Sequence, residues 1–330
     1  MTRIGVFGCG RIGRMHALNI ASHPRTELVS VFDVVEEAAK ETARVTGAKV
    51  ASSIEAIVDD DQIDAVLIAS PTDTHVDLMT LAAKAGKAVL CEKPIDLDID
   101  RVKSCWADIA SLDPVVMIGF NRRFDPTFQE LERRLSSGAI GKLEQLAITS
   151  RDPAPPPAAY IKASGGLFRD MTIHDFDLAR YFAGDIVEVH ATGANLVEPE
   201  IEALGDIDSA MITMRTVSGA LVHISNSRRA IYGYDQRIEA FGESGMLQAG
   251  NQRDTSLSFW GSTGTDIKDP IMDFFIERYT PAYHAEIDHF IDCVEKGTKP
   301  IAGFQDGLEA LRLADAALKS MRTGQTVKLD

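Results

Sequence analysis

Ile4-Gly5-Val6-Phe7-Gly8-Cys9-Gly10-Arg11-Ile12-Gly13 opens on a short apolar run, turns through closely spaced glycines and continues at helical spacing. Gly8, Gly10 and Gly13 satisfy G-x-G-x-x-G, a weak pattern alone because glycines mark many turns. The setting strengthens it. Residues 4–7 read as a strand and 12–21 as a helix, and Asp33 ends the next strand-like run, 20 residues after Gly13. Each position has a task in binding a dinucleotide. Gly8 permits the tight turn, Gly10 lets the backbone approach a pyrophosphate, and Gly13 lets helix and strand pack closely. Arg11 and Ile12 stand where the helix N-terminus offers its N–H groups to phosphate. Asp33 would accept hydrogen bonds from the adenosine ribose and repel a 2′-phosphate. Val34 and Val35 supply no compensating cation, so NAD is expected rather than NADP.

Outward from this turn, strand and helix alternate: runs at 28–32, 65–69, 88–91 and 115–119 are separated by helical stretches at 36–45, 76–84 and 99–111. That order implies right-handed crossovers and a parallel sheet. Ala65-Val66-Leu67-Ile68-Ala69 is apolar throughout, as a strand covered on both faces should be. After about residue 140 the pattern changes to strand-like runs at 143–150, 187–192, 210–216, 220–225, 236–241 and 257–260. Several alternate apolar and polar residues, which fits a sheet with one face packed and one open. Helices are expected at 167–182 and 306–321. The fold class is therefore α/β: a Rossmann-type doubly wound parallel sheet, then an α+β domain with an open-faced, mostly antiparallel sheet. The expected domains are residues 1–121, dinucleotide-binding, and 122–330, catalytic and oligomerising, with the last helix packing back on the first domain.

A formal net charge of −15 is the opposite of what phosphate-backbone recognition requires, which argues against nucleic acid as a partner. No apolar stretch approaches a membrane span, and the N-terminus lacks the features of a signal peptide, so a cytoplasmic location is expected. Cys9, Cys91, Cys105 and Cys293 are widely spaced, so neither a zinc site nor a disulfide framework is expected, and no metal is.

Two further segments carry chemistry. At about 100° per residue, Leu167, Met171, Leu178 and Phe182 form one stripe, with Asp170, His174, Asp177 and Tyr181 beside it. The i,i+4 pair Asp170/His174 suits an imidazole held in one tautomer, and a solvated helix face is the plain alternative. Glu92-Lys93-Pro94 follows the strand at 88–91, where the strand ends of an open parallel sheet line a ligand crevice. A lysine there is either a catalytic group or a solvated one.

With these motifs in place, the chain resembles the glucose–fructose oxidoreductase / inositol dehydrogenase family, most closely its inositol-oxidising branch. The match rests on Glu92-Lys93-Pro94, Ser70-Pro71-Thr72-Asp73-Thr74-His75, Gly119-Phe120-Asn121-Arg122-Arg123-Phe124-Asp125 and Gly165-Gly166 leading to Asp170-Met171-Thr172-Ile173-His174-Asp175. Asn226-Ser227-Arg228-Arg229 and Tyr232-Gly233-Tyr234-Asp235 continue it, and it runs from about residue 3 to the C-terminus. The resemblance implies Lys93, Asp170 and His174 as the catalytic group and Arg122, Asp177 and Tyr234 as substrate contacts. It places Ser70, Pro71, Thr72, His75, Glu92 and Lys93 on the cofactor side, and it implies a homotetramer built through the open sheet.

The expected reaction is NAD-dependent oxidation of a secondary alcohol, with His174 taking the hydroxyl proton, Asp170 orienting the ring and Lys93 stabilising the substrate oxygen. A set this rich in hydrogen-bonding groups suits a neutral cyclic polyol, myo-inositol being oxidised to the 2-keto product. The alternatives are oxidation of another inositol isomer or a sugar such as glucose, a zinc-dependent alcohol dehydrogenase, and a non-catalytic NAD(H)-sensing regulator. The scattered cysteines disfavour the zinc enzyme, and a sensor has no need of Lys93, Asp170 and His174 together.

Overall fold

The computed structural model describes residues 1–329. The chain forms two units. The first comprises Met1–Phe124 and Ala282–Leu311, the second Asp125–Pro281 and the chain from Arg312 onward.

The first unit is built on six strands: β1 (Thr2–Phe7), β2 (Thr26–Phe32), β3 (Lys49–Val50), β4 (Ala65–Ile68), β5 (Ala88–Cys91) and β6 (Val116–Ile118). They lie in the order β3-β2-β1-β4-β5-β6, and each neighbouring pair is parallel. Every residue of β4 and β5 is buried, which explains their unbroken apolar runs: each face is covered and neither can carry a polar alternate. The chain builds outward from β1 in one direction, then returns to β4 and builds in the other. The carboxyl ends of β1 and β4 therefore flank the topological switch point, where open α/β sheets bind ligands. Gly8, Asp33, Ser70, Glu92 and Asn121 all stand just past strand ends on this side.

The helix Thr280–Lys296 also belongs largely to this unit. Ala282, Tyr283, Ile287, Phe290 and Ile291 form its buried stripe, and Glu286 falls in phase with them. This helix was not anticipated from the sequence, nor was Pro126–Ser136 in the second unit. The second carries a plain start signal: Asp125 accepts from the Thr127 and Phe128 N–H groups at 3.0 and 3.1 Å, with proline at the first turn.

The second unit contains a seven-stranded sheet: β7 (Leu143–Arg151), β8 (Ile186–Ala194), β9 (Ser209–Thr216), β10 (Leu221–Ser227), β11 (Asp235–Gly242), β12 (Gly245–Ala249) and, at its edge, a strand at Val327–Lys328. Only the β7/β10 pair is parallel; every other pair is antiparallel. Ala210, Ile212 and Met214 of β9 point inward beside Val222 and Ile224 of β10, while Met211, Leu221, Phe241 and Met246 are exposed on the other face. A separate hairpin joins Ser258–Gly261 to Gly264–Lys268.

The helix expected at 167–182 is two helices, Leu167–Asp170 and Thr172–Ala183, broken at Met171. The second is anchored at its start from the sheet. Thr172 Oγ1 donates to Asn226 Oδ1 at 2.7 Å, and Asn226 Nδ2 donates to Asp175 Oδ2 at 2.8 Å. Asp170 and Asp177 are also buried rather than solvated, and His174 and Tyr181 of the same stripe are half-buried. Among the described residues no helix is long and apolar enough to cross a membrane.

Candidate active site

In the first unit the glycine turn has the shape its spacing implied. Gly8 has φ +93°, and a Cβ there would lie 2.5 Å from the Ala69 carbonyl and the Ser70 nitrogen. A Cβ on Gly13 would lie 2.0 Å from the Gly8 oxygen, so helix and turn touch only because neither has a side chain. Gly10 differs: nothing stands within 4 Å of its missing Cβ, which leaves an open approach to the backbone. No side chain caps the N-terminus of the following helix, Arg11–Ser22, so its first turn is available to an anion. Asp33 is braced by the backbone, accepting the Cys9 N–H on Oδ2 and the Val35 N–H on Oδ1, both at 2.7 Å. Open glycine backbone, an uncapped helix start and a carboxylate fixed beside the turn fit the pyrophosphate and ribose of NAD.

Two further loops are tied together by His75. Its buried ring reaches the Pro94 carbonyl through Nδ1 and the Ser70 carbonyl through Nε2, each at 2.9 Å. The imidazole thus links the Ser70-Pro71-Thr72 turn to Glu92-Lys93-Pro94. Ser70 is held in turn by Thr74, hydroxyl to hydroxyl at 2.6 Å. Glu92 pairs with His16 Nε2 at 2.8 Å and lies against Gly119, whose missing Cβ would be 3.1 Å from its carboxylate. Lys93 is half-buried at the head of this loop. Arg122 and Arg123 share the 3-10 turn Asn121–Phe124, and both are buried. Arg123 is bound to Asp306 at 3.0 Å and to the Ile301 carbonyl, a structural engagement.

In the second unit Gly165 and Gly166 both take positive φ, and a Cβ on Gly166 would lie 2.7 Å from Asp206 Oδ1. Asp206 uses that space to accept the Leu167 N–H at 3.1 Å, fixing the start of the helix that carries Asp170. The Asp170 carboxylate accepts from the Tyr160 hydroxyl on Oδ1 at 2.9 Å and from Arg228 on Oδ2 at 3.3 and 3.4 Å. His174, half-buried, stands four positions further on, in the first turn of the helix Thr172–Ala183. Asp177 lies further along the same helix and is 1% exposed. Tyr234 is buried next to Gly233, donates its N–H to the Met272 carbonyl at 2.9 Å and stacks edge-on against Tyr279.

The role of Arg228 was not read from the sequence, although its motif was. One signal could have found it: Arg228 continues the alternation of Val222, Ile224 and Asn226, all buried, whereas Arg229 is exposed. Tyr160, in the short helix Ala158–Ser164 after the proline-rich stretch, carried no such signal.

A dinucleotide turn at the switch point of a parallel sheet, continued by a mixed-sheet domain, defines an NAD-dependent oxidoreductase of the two-domain type. The chain belongs to the GFO/IDH/MocA family. Residues 2–120 match the family model "Oxidoreductase family, NAD-binding Rossmann fold", and residues 128–248 match the "GFO/IDH/MocA C-terminal domain". It is 47% identical to an inositol 2-dehydrogenase of Rhizobium meliloti, over 99% of each chain. Among solved structures it resembles a myo-inositol dehydrogenase from Corynebacterium glutamicum, with 49% identity, a TM-score of 0.97 and coverage of 100% of this chain and 99% of that one. It also resembles scyllo-inositol dehydrogenase from Lactobacillus casei with bound NAD(H) and scyllo-inositol, with 30% identity, a TM-score of 0.92 and 99% of each chain covered. The chain is thus an oxidoreductase with an NAD-binding Rossmann domain.

Proposed function

We propose that this enzyme oxidises myo-inositol at its 2-hydroxyl to 2-keto-myo-inositol. The observation that carries the reading is full-length similarity to an inositol 2-dehydrogenase in a chain that has Lys93, Asp170 and His174 together. On this reading His174 accepts the proton leaving the 2-hydroxyl, a contribution of about 10²–10⁴ in rate. Asp170 orients the ring and stabilises the imidazolium formed. Lys93 donates to the substrate oxygen as negative charge develops on it. NAD, held by Gly8, Gly10, Arg11, Ile12, Gly13 and Asp33 with Ser70, Pro71, Thr72, His75 and Glu92, supplies the hydride acceptor when bound.

Arg122, Asp177 and Tyr234 would read the remaining ring hydroxyls. A buried polar group left without a partner costs about 1–3 kcal/mol, so such a set favours a ring that presents a hydroxyl to each. Asp170 and Asp177 disfavour an anionic substrate by charge repulsion. The likeness to a scyllo-inositol enzyme supports a second reading, in which that isomer is preferred. NADH formation measured at 340 nm against a panel of inositols and hexoses decides among them. Myo-inositol should give the highest kcat/KM, with glucose poorer and sugar phosphates inert. Faster oxidation of glucose would overturn the inositol assignment and leave the dehydrogenase.

The same reading makes the enzyme a cytoplasmic homotetramer with neither nucleic acid nor membrane as partner. Met211, Leu221, Phe241 and Met246 support self-association through the open sheet face, because apolar groups gathered on one exposed surface favour an interface. Light scattering should return about four times 35.9 kDa, and a clean monomer would refute the assembly.

A further inference from the structure

Arg228 is 1% exposed, and a guanidinium so deeply placed requires an anion. Among the described residues the one side chain it hydrogen-bonds is Asp170, with both terminal nitrogens on Oδ2 at 3.3 and 3.4 Å. Its backbone N–H donates to the Asp208 carbonyl at 2.8 Å, which anchors the residue just beyond β10. The other Asp170 oxygen accepts from Tyr160. The carboxylate is therefore gripped from two separate elements, and His174 lies four positions on, in the first turn of the next helix.

We propose that Arg228 is a positioning residue that acts through Asp170, fixing the carboxylate and offsetting its charge so that His174 remains neutral and ready to accept a proton. An uncompensated carboxylate beside an imidazole favours the imidazolium, and a protonated His174 cannot act as the base. The groups bound to the Asp170 carboxylate include Arg228 and, from the helix Ala158–Ser164, Tyr160, while His174, Asp175 and Asp177 follow on the helix Thr172–Ala183. Arg228 is the fixed cation among them. Arg229 plays no such part: it is exposed, and its guanidinium reaches the Leu196 and Val197 carbonyls at 3.3 and 3.4 Å.

The inference rests on His174 as proton acceptor, so the test carries a separate arm for that reading. Arg228→Met, Arg228→Lys, Tyr160→Phe, His174→Ala and Arg229→Ala are compared by kcat and KM from pH 5 to 10, with NAD affinity followed by fluorescence titration. Arg228→Met should lower kcat about 10-fold or more and move the acid limb of the profile up by roughly one pH unit, with NAD affinity unchanged. Arg228→Lys, which keeps the charge, should return the limb toward its original position. Arg229→Ala should behave as the parent enzyme. A folded Arg228→Met with unmoved limb and unchanged kcat overturns the proposal. So does a loss of kcat with an unmoved limb that lysine fails to repair, since that would mark a purely structural role. Should Arg228→Met fail to fold, Tyr160→Phe must move the limb the same way by a smaller amount, and an unmoved limb there counts against the proposal. His174→Ala keeping full kcat and the acid limb would defeat the proton-acceptor reading itself, whatever Arg228 does.

Discussion

Asp235 in the sheet unit and Glu286 in the nucleotide-binding unit are both 0% exposed, and their surroundings shift their acidities in opposite directions. Burial tends to raise Asp235, but donors outweigh it. Arg237 contributes bonds at 2.8 and 3.0 Å, Asn251 one at 2.6 Å and Tyr232 one at 2.7 Å, and the carboxyl is held below its ordinary range. Glu286 has no donor on either oxygen among the described residues. Burial, and then the nearby Glu92 charge, push it well above the usual carboxylate range. Glu92 is itself engaged by His16, whose ring meets Tyr283 edge-on, one turn before Glu286. Depth alone thus fixes neither charge state. The donors supplied by the rest of the fold decide it.

The sharpest way to break this contrast is Glu286→Gln. A raised carboxyl keeps its proton in the folded state after the unfolded chain has lost its own, near pH 4.3. Wild-type stability contributed by Glu286 is therefore full below that pH and declines as pH rises toward the folded value. The neutral glutamine has no such decline. Its stability relative to wild type should grow by on the order of 1 kcal/mol per pH unit as pH rises above the unfolded value, until the folded carboxyl itself ionises. Thermal midpoints of the two proteins across that range measure it, and a constant difference would mean that Glu286 is ionised in the folded protein.

Asp235→Asn should show the reverse dependence at smaller amplitude. A lowered carboxyl contributes stability that is present above the unfolded value, near pH 3.9, and is lost as pH falls through the folded one. The variant should be about 2 kcal/mol less stable than wild type at pH 7, the scale of hydrogen bonds to a charged group. That deficit should shrink below about pH 4. Urea unfolding at both pH values tests it, and a deficit independent of pH would assign the loss to packing.

The same division governs what could be read in advance. The glycine turn, the uncapped helix start and Asp33 were legible because their requirements are local: each concerns a backbone torsion, a missing Cβ or a donor a few residues away, or the end of the adjoining strand. The break at Met171 was not legible. The helix beyond it is anchored by Asn226, which binds Thr172 and Asp175 from a strand more than fifty positions away in sequence. Arg228 stood in plain view as part of a motif, but what it binds could not be inferred, because 58 positions separate it from Asp170.

By itself the sequence determined a parallel-sheet, NAD-binding domain followed by a mixed-sheet domain, and it offered a short set of candidate residues for moving a proton and stabilising an oxygen. Periodicity and spacing record the local conformations that the chain can adopt without strain. Only the tertiary structure decided that Asp170 is held by Arg228 and Tyr160, that Asp235 is surrounded by donors, and that Glu286 has none among the described residues. The reason is physical. The charge state and orientation of a buried side chain follow from which polar groups share its enclosure, and that company is assembled by packing residues far apart along the chain.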